Sequence, residues 1–243
     1  MTTTADRSTE AQRRFKVVGT RPIRHDGLGK VTGKDRYGAD VHLPGMLHGK
    51  ILRSPHAHAR IKKIDASKAE ALPGVKAIVT ARDLSIIDDR PIDLAETLGN
   101  PRVLAENALA KSKALYKGHA IVALAATTPH IAEEALELID VEYEVLKPLL
   151  DVREAMADRE NLIHEDLTTH EVERRFTKGT DTGVHSNVAS HLQFKQGDVE
   201  EAFREADVVV EREFTTVPVH QGYIEPQNST AHWAADGHLT NWT

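Results

Sequence analysis

The sequence predicts an α+β protein. Short β-branched or apolar runs recur along the chain, other runs alternate apolar and charged residues, and brief helices start at recognisable capping residues. Residues 1–16 are polar and charged, carry too little apolar surface to fold, and read as a disordered tail. Val17 to Gly38 mixes short apolar pieces with Gly19, Pro22, Gly27, Gly29, Gly33 and Gly38, the pattern of an irregular, turn-rich lead-in. Met46–Arg53 reads as a strand, Ser54–His58 as a turn, and Ala59–Ile64 as a half-exposed strand. Pro55 lacks an amide hydrogen and so fits a strand end better than a ladder interior. Asp65 or Ser67 caps a short helix over Ala66–Leu72, which Pro73 and Gly74 stop. Val75–Thr80 (VKAIVT) reads as a buried strand.

From Leu84 to Ala114 the pattern weakens, and a loop with one helical turn near Asp93–Leu98 is expected. His119–Ala126 (HAIVALAA) is a second buried strand. Thr127 or Thr128 caps the next helix, and Pro129 takes its first position, where a missing amide costs nothing. Ile131, Ala135 and Ile139 share one helical face with Ala132 and Leu136, while Glu133, Glu134 and Glu137 take the other. Val141, Tyr143 and Val145 alternate with Glu142 and Glu144, a strand open to water on one side. Asp151 caps a short helix ending near Ala157, and the polar stretch after it is expected to be a linker over 151–187. Structure resumes near Val188. Asp198 and Glu201 open a helix over Val199–Ala206, Asp207–Val217 alternates like a strand, and Asp236-Gly237 turns a hairpin between Ser229–Ala235 and His238–Thr243. Asn241-Trp242-Thr243 is expected to lie inside a strand whose partners come from another chain or a longer polypeptide.

Composition narrows the function classes. A net charge of −6 disfavours nucleic-acid and anionic-membrane partners, which favour basic faces. Cysteine is absent, so this chain carries neither disulfides nor cysteine-ligated iron–sulfur clusters. No run approaches a membrane span, and Met1 to Ser8 lacks the apolar core of a secretory signal, so a cytoplasmic location is expected.

Fourteen histidines invite a metal reading. His56 and His58 would share one face of a strand, yet a third ligand is only loosely placed in His42 or His48, and hydrogen bonding within a turn explains them better. Gly27–Lys34 resembles a phosphate loop superficially, but no Ser or Thr follows Lys34 and no buried strand precedes it. His119, His130 and His164 lack a nucleophile motif, so no catalytic triad is supported. The tripeptides at Asn228 and Asn241 fit the glycosylation pattern without further support. Val219–Asn228 (VHQGYIEPQN) is the best functional candidate on residue chemistry, because it gathers amides, a carboxylate and Gly222 between two strands. A hydrogen-bonded connection at a domain interface would use the same groups.

Several motifs in order carry a family resemblance. Val18–Asp40 resembles the opening of the large, molybdenum-binding subunit of the xanthine oxidase family. Gly49–Ile61 with Leu72-Pro73-Gly74-Val75, then Tyr116–Ala126 and Ala132–Glu144, resembles that subunit's α/β hammerhead domain. Gly197–Phe203 with Tyr223-Ile224-Glu225-Pro226 resembles the start of the molybdopterin-binding domain. The resemblance is strongest to bacterial members such as 4-hydroxybenzoyl-CoA reductase and carbon monoxide dehydrogenase. It implies a hammerhead domain over 17–150 and the incomplete start of a molybdopterin-binding α+β domain over 188–243.

The resemblance further implies molybdopterin, in its cytosine-dinucleotide form, with molybdenum in the complete enzyme. Oxygen would come from water, and electrons would leave through iron–sulfur and FAD cofactors on partner subunits. The glycine-rich cofactor motif, the substrate-binding motifs and the terminal catalytic glutamate have no counterpart here, so no catalytic residue and no metal ligand is assigned. Gln221, Glu225 and Gln227 remain as candidates for packing near the cofactor. The resulting expectation is an N-terminal portion or split subunit of a molybdopterin-dependent oxidoreductase, inactive alone. Its partners would be the remaining molybdopterin-binding polypeptide and the iron–sulfur and flavin subunits, with no nucleic acid and no membrane. The alternative is a non-catalytic assembly or interaction module that keeps the hammerhead fold.

Overall fold

The structure, a computed structural model, describes residues 16–84, 92–93, 98–172, 179–194 and 196–243. The expected tail over 1–16 lies outside them except for Lys16. The chain divides into two compact units, Gly45–Thr215 and Met1–Pro44 with Thr216–Thr243.

Short elements open the chain: α1 (Gly27–Val31) and one 3-10 turn (Gly38–Asp40). The first half of the larger unit then runs β1 (His48–Arg53), β2 (Ala59–Asp65), α2 (Ser67–Glu70), β3 (Val75–Thr80), β4 (Ile92–Asp93) and β5 (Leu98–Gly99). It continues through α3 (Pro101–Ala108), β6 (Lys113–Ala114), β7 (Ala120–Ala126), α4 (Pro129–Glu137) and β8 (Asp140–Val145). β7 is the central strand of one antiparallel sheet in the order β1-β7-β3, and β2 is central in a second in the order β6-β2-β8. Ile121, Val122, Ala126, Ala132 and Ala135 are fully buried and form the core with Leu124 and Ile139, while Leu52, Ile61, Ile64 and Ile78 pack onto it. Small residues on β7 and α4 let the helix lie close to the sheet, and α4 starts where Thr128 accepts a hydrogen bond from the Ile131 amide. Gly74 (φ +103°) makes the turn into β3, because a Cβ there would stand 2.7 Å from Ile131 Cδ1.

Several expectations are corrected. β3 is only half-buried, because it is an edge of its sheet. The stretch read as loop between Leu84 and Ala114 contains α3, capped by Asn100, whose Oδ1 accepts from the Arg102 and Val103 amides. The helical turn expected near 93–98 falls largely outside the described residues, and Ile92–Asp93 pairs with Leu98–Gly99.

The polar stretch read as a linker is built up. α5 (Val152–Ala157) is capped by Asp151, and β9 (Thr168–Val172), β10 (Thr180–His185) and β11 (Ser190–Leu192) form a sheet in the order β10-β9-β11. Threonine and serine hydroxyl contacts support this sheet, so it leaves no hydrophobic alternation to read. α6 (Val199–Glu205) begins where Asp198 Oδ1 accepts from the Glu201 amide. Residues 207–217, expected as a strand, form no ladder. In the smaller unit β12 (Thr230–Trp233) pairs with β13 (Leu239–Trp242) across the Asp236-Gly237 turn, as expected.

Candidate functional site

Residues 219–228 follow no regular element, and Gln221, Glu225 and Gln227 are all exposed. Gly222 adopts φ +70°, and its amide donates to His220 Nδ1 at 2.9 Å. This local turn sets His220 edge-on to Tyr223 at 6.5 Å, while Ile224 is wholly exposed. Asn228 ends the segment with its Oδ1 buried and without a partner, facing Gly38 so closely that a Cβ there would stand 2.4 Å away. The segment therefore presents acceptors and amides to solvent without enclosing anything. A pterin cofactor needs a concave surface with convergent donors. The groove within this unit is lined instead by Tyr37, Gly38, Val41, His42, Asn241 and Trp242. Residues 219–228 alone do not cradle such a group.

The two histidines of the first turn are structural. His56 meets the Tyr143 ring edge-on at 5.1 Å, and Ser54 Oγ accepts the His56 amide at 3.1 Å. His58 is buried, with Nδ1 2.9 Å from the Lys147 carbonyl and Nε2 without a partner. Burial also raises Tyr143 above the ordinary tyrosine value, against a smaller opposing effect of the Ser54 hydrogen bond. Among the described residues no group of three His, Cys, Asp or Glu side chains is placed to hold a metal ion.

His119 is fully buried. It stacks on Tyr116 at 4.4 Å, and its Nδ1 accepts the Leu115 amide at 3.2 Å. That bond assigns the proton to Nε2, which donates to the Glu106 carbonyl at 2.9 Å. Burial holds the ring below the ordinary histidine value, opposed by its bonds to the Glu106 and Asn107 backbone. The ring is thus a neutral pin between α3 and the turn into β7.

A polar cluster with no local sequence signal lies beside it. Arg102, Glu106, Lys111, Lys113, His164 and Asp166 are among the residues lining a cavity of about 60 Å3. Lys113 is buried. Its Nζ donates to the Leu162 carbonyl at 2.9 Å and lies 3.4 Å from Glu165, which Arg60 also holds at 2.6 Å. These cations keep Glu165 below the usual carboxylate range, Arg60 most strongly. The cluster brings together residues 60, 102–113 and 162–166, and only tertiary structure joins them.

An apolar groove separates α6 from the segment after it, lined by Val199, Ala202, Phe203, Val208, Val209 and Val210. Val208, Val210, Phe214, Val217 and Val219 are between 72% and 86% exposed. Among the described residues no helix is long and apolar enough to cross a membrane.

Comparison with known proteins gives two family matches. Residues 32–147 match the aldehyde oxidase and xanthine dehydrogenase a/b hammerhead domain. Residues 181–243 match a molybdopterin cofactor-binding domain. The carbon monoxide dehydrogenase large chain of Afipia carboxidovorans is 35% identical over 99% of this chain and 29% of its own. A probable xanthine dehydrogenase component of Bacillus subtilis is 34% identical over 90% of this chain and 26% of its own length. A crystal structure of Cu,Mo-CO dehydrogenase covers 92% of this chain and 27% of its own at 34% identity, with a TM-score of 0.72. The aldehyde oxidoreductase of Desulfovibrio gigas is similar at 26% identity over 89% of this chain and 22% of its own, with a TM-score of 0.65. The chain thus spans only about a quarter of the length of these relatives.

Proposed function

The chain belongs to the aldehyde oxidase and xanthine dehydrogenase family, and from that membership we propose that it serves as the hammerhead and first cofactor-domain segment of a molybdopterin-dependent oxidoreductase. The reaction class is oxidation of an aldehyde, an N-heterocycle, an aromatic acyl-CoA or carbon monoxide, and this chain alone is inactive. One observation carries the reading. Residues 208–219 lie in the region matched to a molybdopterin cofactor-binding domain, yet their valines and Phe214 are exposed and their backbone joins no ladder. Such a stripe gains stability when further strands of the same domain cover it.

Those strands belong to the remaining molybdopterin-binding polypeptide, whether continuous with this chain or separate from it. That polypeptide supplies most of the cofactor contacts, because residues 219–228 cannot enclose the group themselves. The cofactor is the cytosine-dinucleotide form of molybdopterin. When bound it supplies the redox centre, and iron–sulfur and flavin subunits in the cytoplasm take the electrons onward. Gln221, Glu225 and Gln227 pack near it once the domain is complete.

Co-expression with a polypeptide carrying the rest of that domain tests the reading. The expected result is a stable complex containing stoichiometric molybdenum by elemental analysis. A complex that forms without molybdenum favours the assembly-module alternative. A monomer that ignores the second polypeptide overturns both.

A further inference from the structure

We propose that the Leu162–Ile163 peptide group is a rigid bridge, fixing β10 and β11 to the hammerhead region through Lys113 and Asn187. Residues 148–180 lie between the two family matches, 32–147 and 181–243. Lys113 belongs to the first match and Asn187 to the second, and both lie in the unit Gly45–Thr215. Lys113 is buried, and its Nζ donates to the Leu162 carbonyl at 2.9 Å. Asn187 Oδ1 accepts the Ile163 amide at 2.9 Å. That carbonyl and that amide are the two ends of one planar, trans peptide group. Turning the plane away from either partner breaks the bond to the other as well, so the two side chains act together.

Further bonds back each end. On the hammerhead side Lys113 also lies 3.4 Å from Glu165, whose carboxylate Arg60 on β2 holds at 2.6 Å. Arg102 on α3 lies 3.6 Å from Asp166. On the far side Asn187 Nδ2 donates to the carbonyls of Ala155 and Asn161, both at 3.1 Å. Thr169 Oγ1 donates to the Val188 carbonyl at 2.7 Å, and the His170 amide donates to the Ala189 carbonyl at 3.1 Å. Asn187 thus sits between the end of β10 at His185 and the residues that receive β9. An ordinary connection leaves its backbone groups to water, whereas this one places them on side chains distant in the chain. Hydrogen bonds in series through one peptide group also polarise each other, so losing one weakens the next. Lys113 and Asn187 are therefore positioning residues, through which the hammerhead sets where the region matched to a cofactor-binding domain begins. The bridge needs neither cofactor nor further polypeptide.

Amide hydrogen–deuterium exchange on the full chain tests the bridge. In Lys113→Met the Ile163 amide should exchange about tenfold faster, as for the loss of a hydrogen bond to a charged group. The His170 amide should follow, although its own acceptor on Ala189 is untouched. Lys111→Met removes a like charge from the lining of the neighbouring cavity and should change neither amide. The amides of β7 should stay protected in both variants. Unchanged exchange at Ile163, or a rise there without one at His170, overturns the proposal, as does an equal response to Lys111→Met. If Lys113→Met does not fold, Asn187→Ala is read by NMR at the Lys113 ammonium, whose burial slows exchange of its hydrogens. Those hydrogens should exchange faster in Asn187→Ala, and an unchanged rate overturns the proposal.

Discussion

β7 and the stretch 207–219 both contain β-branched residues suited to strands, and they have opposite fates. AIVALAA is flanked by β1 and β3, covered by α4, and buried along nearly all its length. DVVVEREFTTVPV is richer in β-branched residues, but it makes no ladder and exposes its valines. The difference lies in partners, not in propensity. A strand is stabilised by hydrogen-bonded neighbours and by a covered face, and β7 has both within the unit Gly45–Thr215. Residues 207–219 have alternation without neighbours.

Three substitutions probe that contrast. The largest effect is expected for Ile121→Ala, which opens a cavity at a fully buried position of β7 and should cost roughly 3 to 4 kcal/mol in urea unfolding. Gly74→Ala should cost about 2 kcal/mol, since alanine must hold a positive φ and press on Ile131 of α4. Both should lower the unfolding midpoint without changing the order of the two sheets. Val210→Ser should change the stability of the isolated chain by less than about 0.5 kcal/mol, because the side chain is 72% exposed. In the complex with the completing polypeptide the same change should weaken association measurably. A large cost in the isolated chain would mean that the stripe packs on its own, and the contrast with β7 would fail.

Hydrophobic period makes β1, β2, α4 and β8 legible, because each shows its buried face in the order of its residues, and β7 is legible as a short continuous apolar run buried on both faces. Capping chemistry makes α5 and α6 legible through Asp151 and Asp198. α3 escapes a reading of the sequence although Asn100-Pro101 announces a helix start, because its surroundings are punctuated by Pro91 and Gly99. The sheet of β9, β10 and β11 escapes it for a different reason. Its side chains include Thr169, His170 and Ser190, and hydrogen bonds such as Thr169 Oγ1 to the Val188 carbonyl replace apolar burial. The candidates Gln221, Glu225 and Gln227 stand out by chemistry and family, while Lys113 and Glu165 leave no mark in the sequence and His164 shows there only as a histidine without a motif.

The sequence by itself determined the α+β class, the family and most of the hammerhead elements, since these follow from local period, caps and motifs. Tertiary structure decided which apolar strand is covered and which waits for a partner, and it assembled Arg102, Lys113, His164 and Glu165 around one cavity, with Arg60 paired to Glu165. Burial and charge pairing between residues distant in the chain depend on where the backbone returns, and no local pattern encodes that.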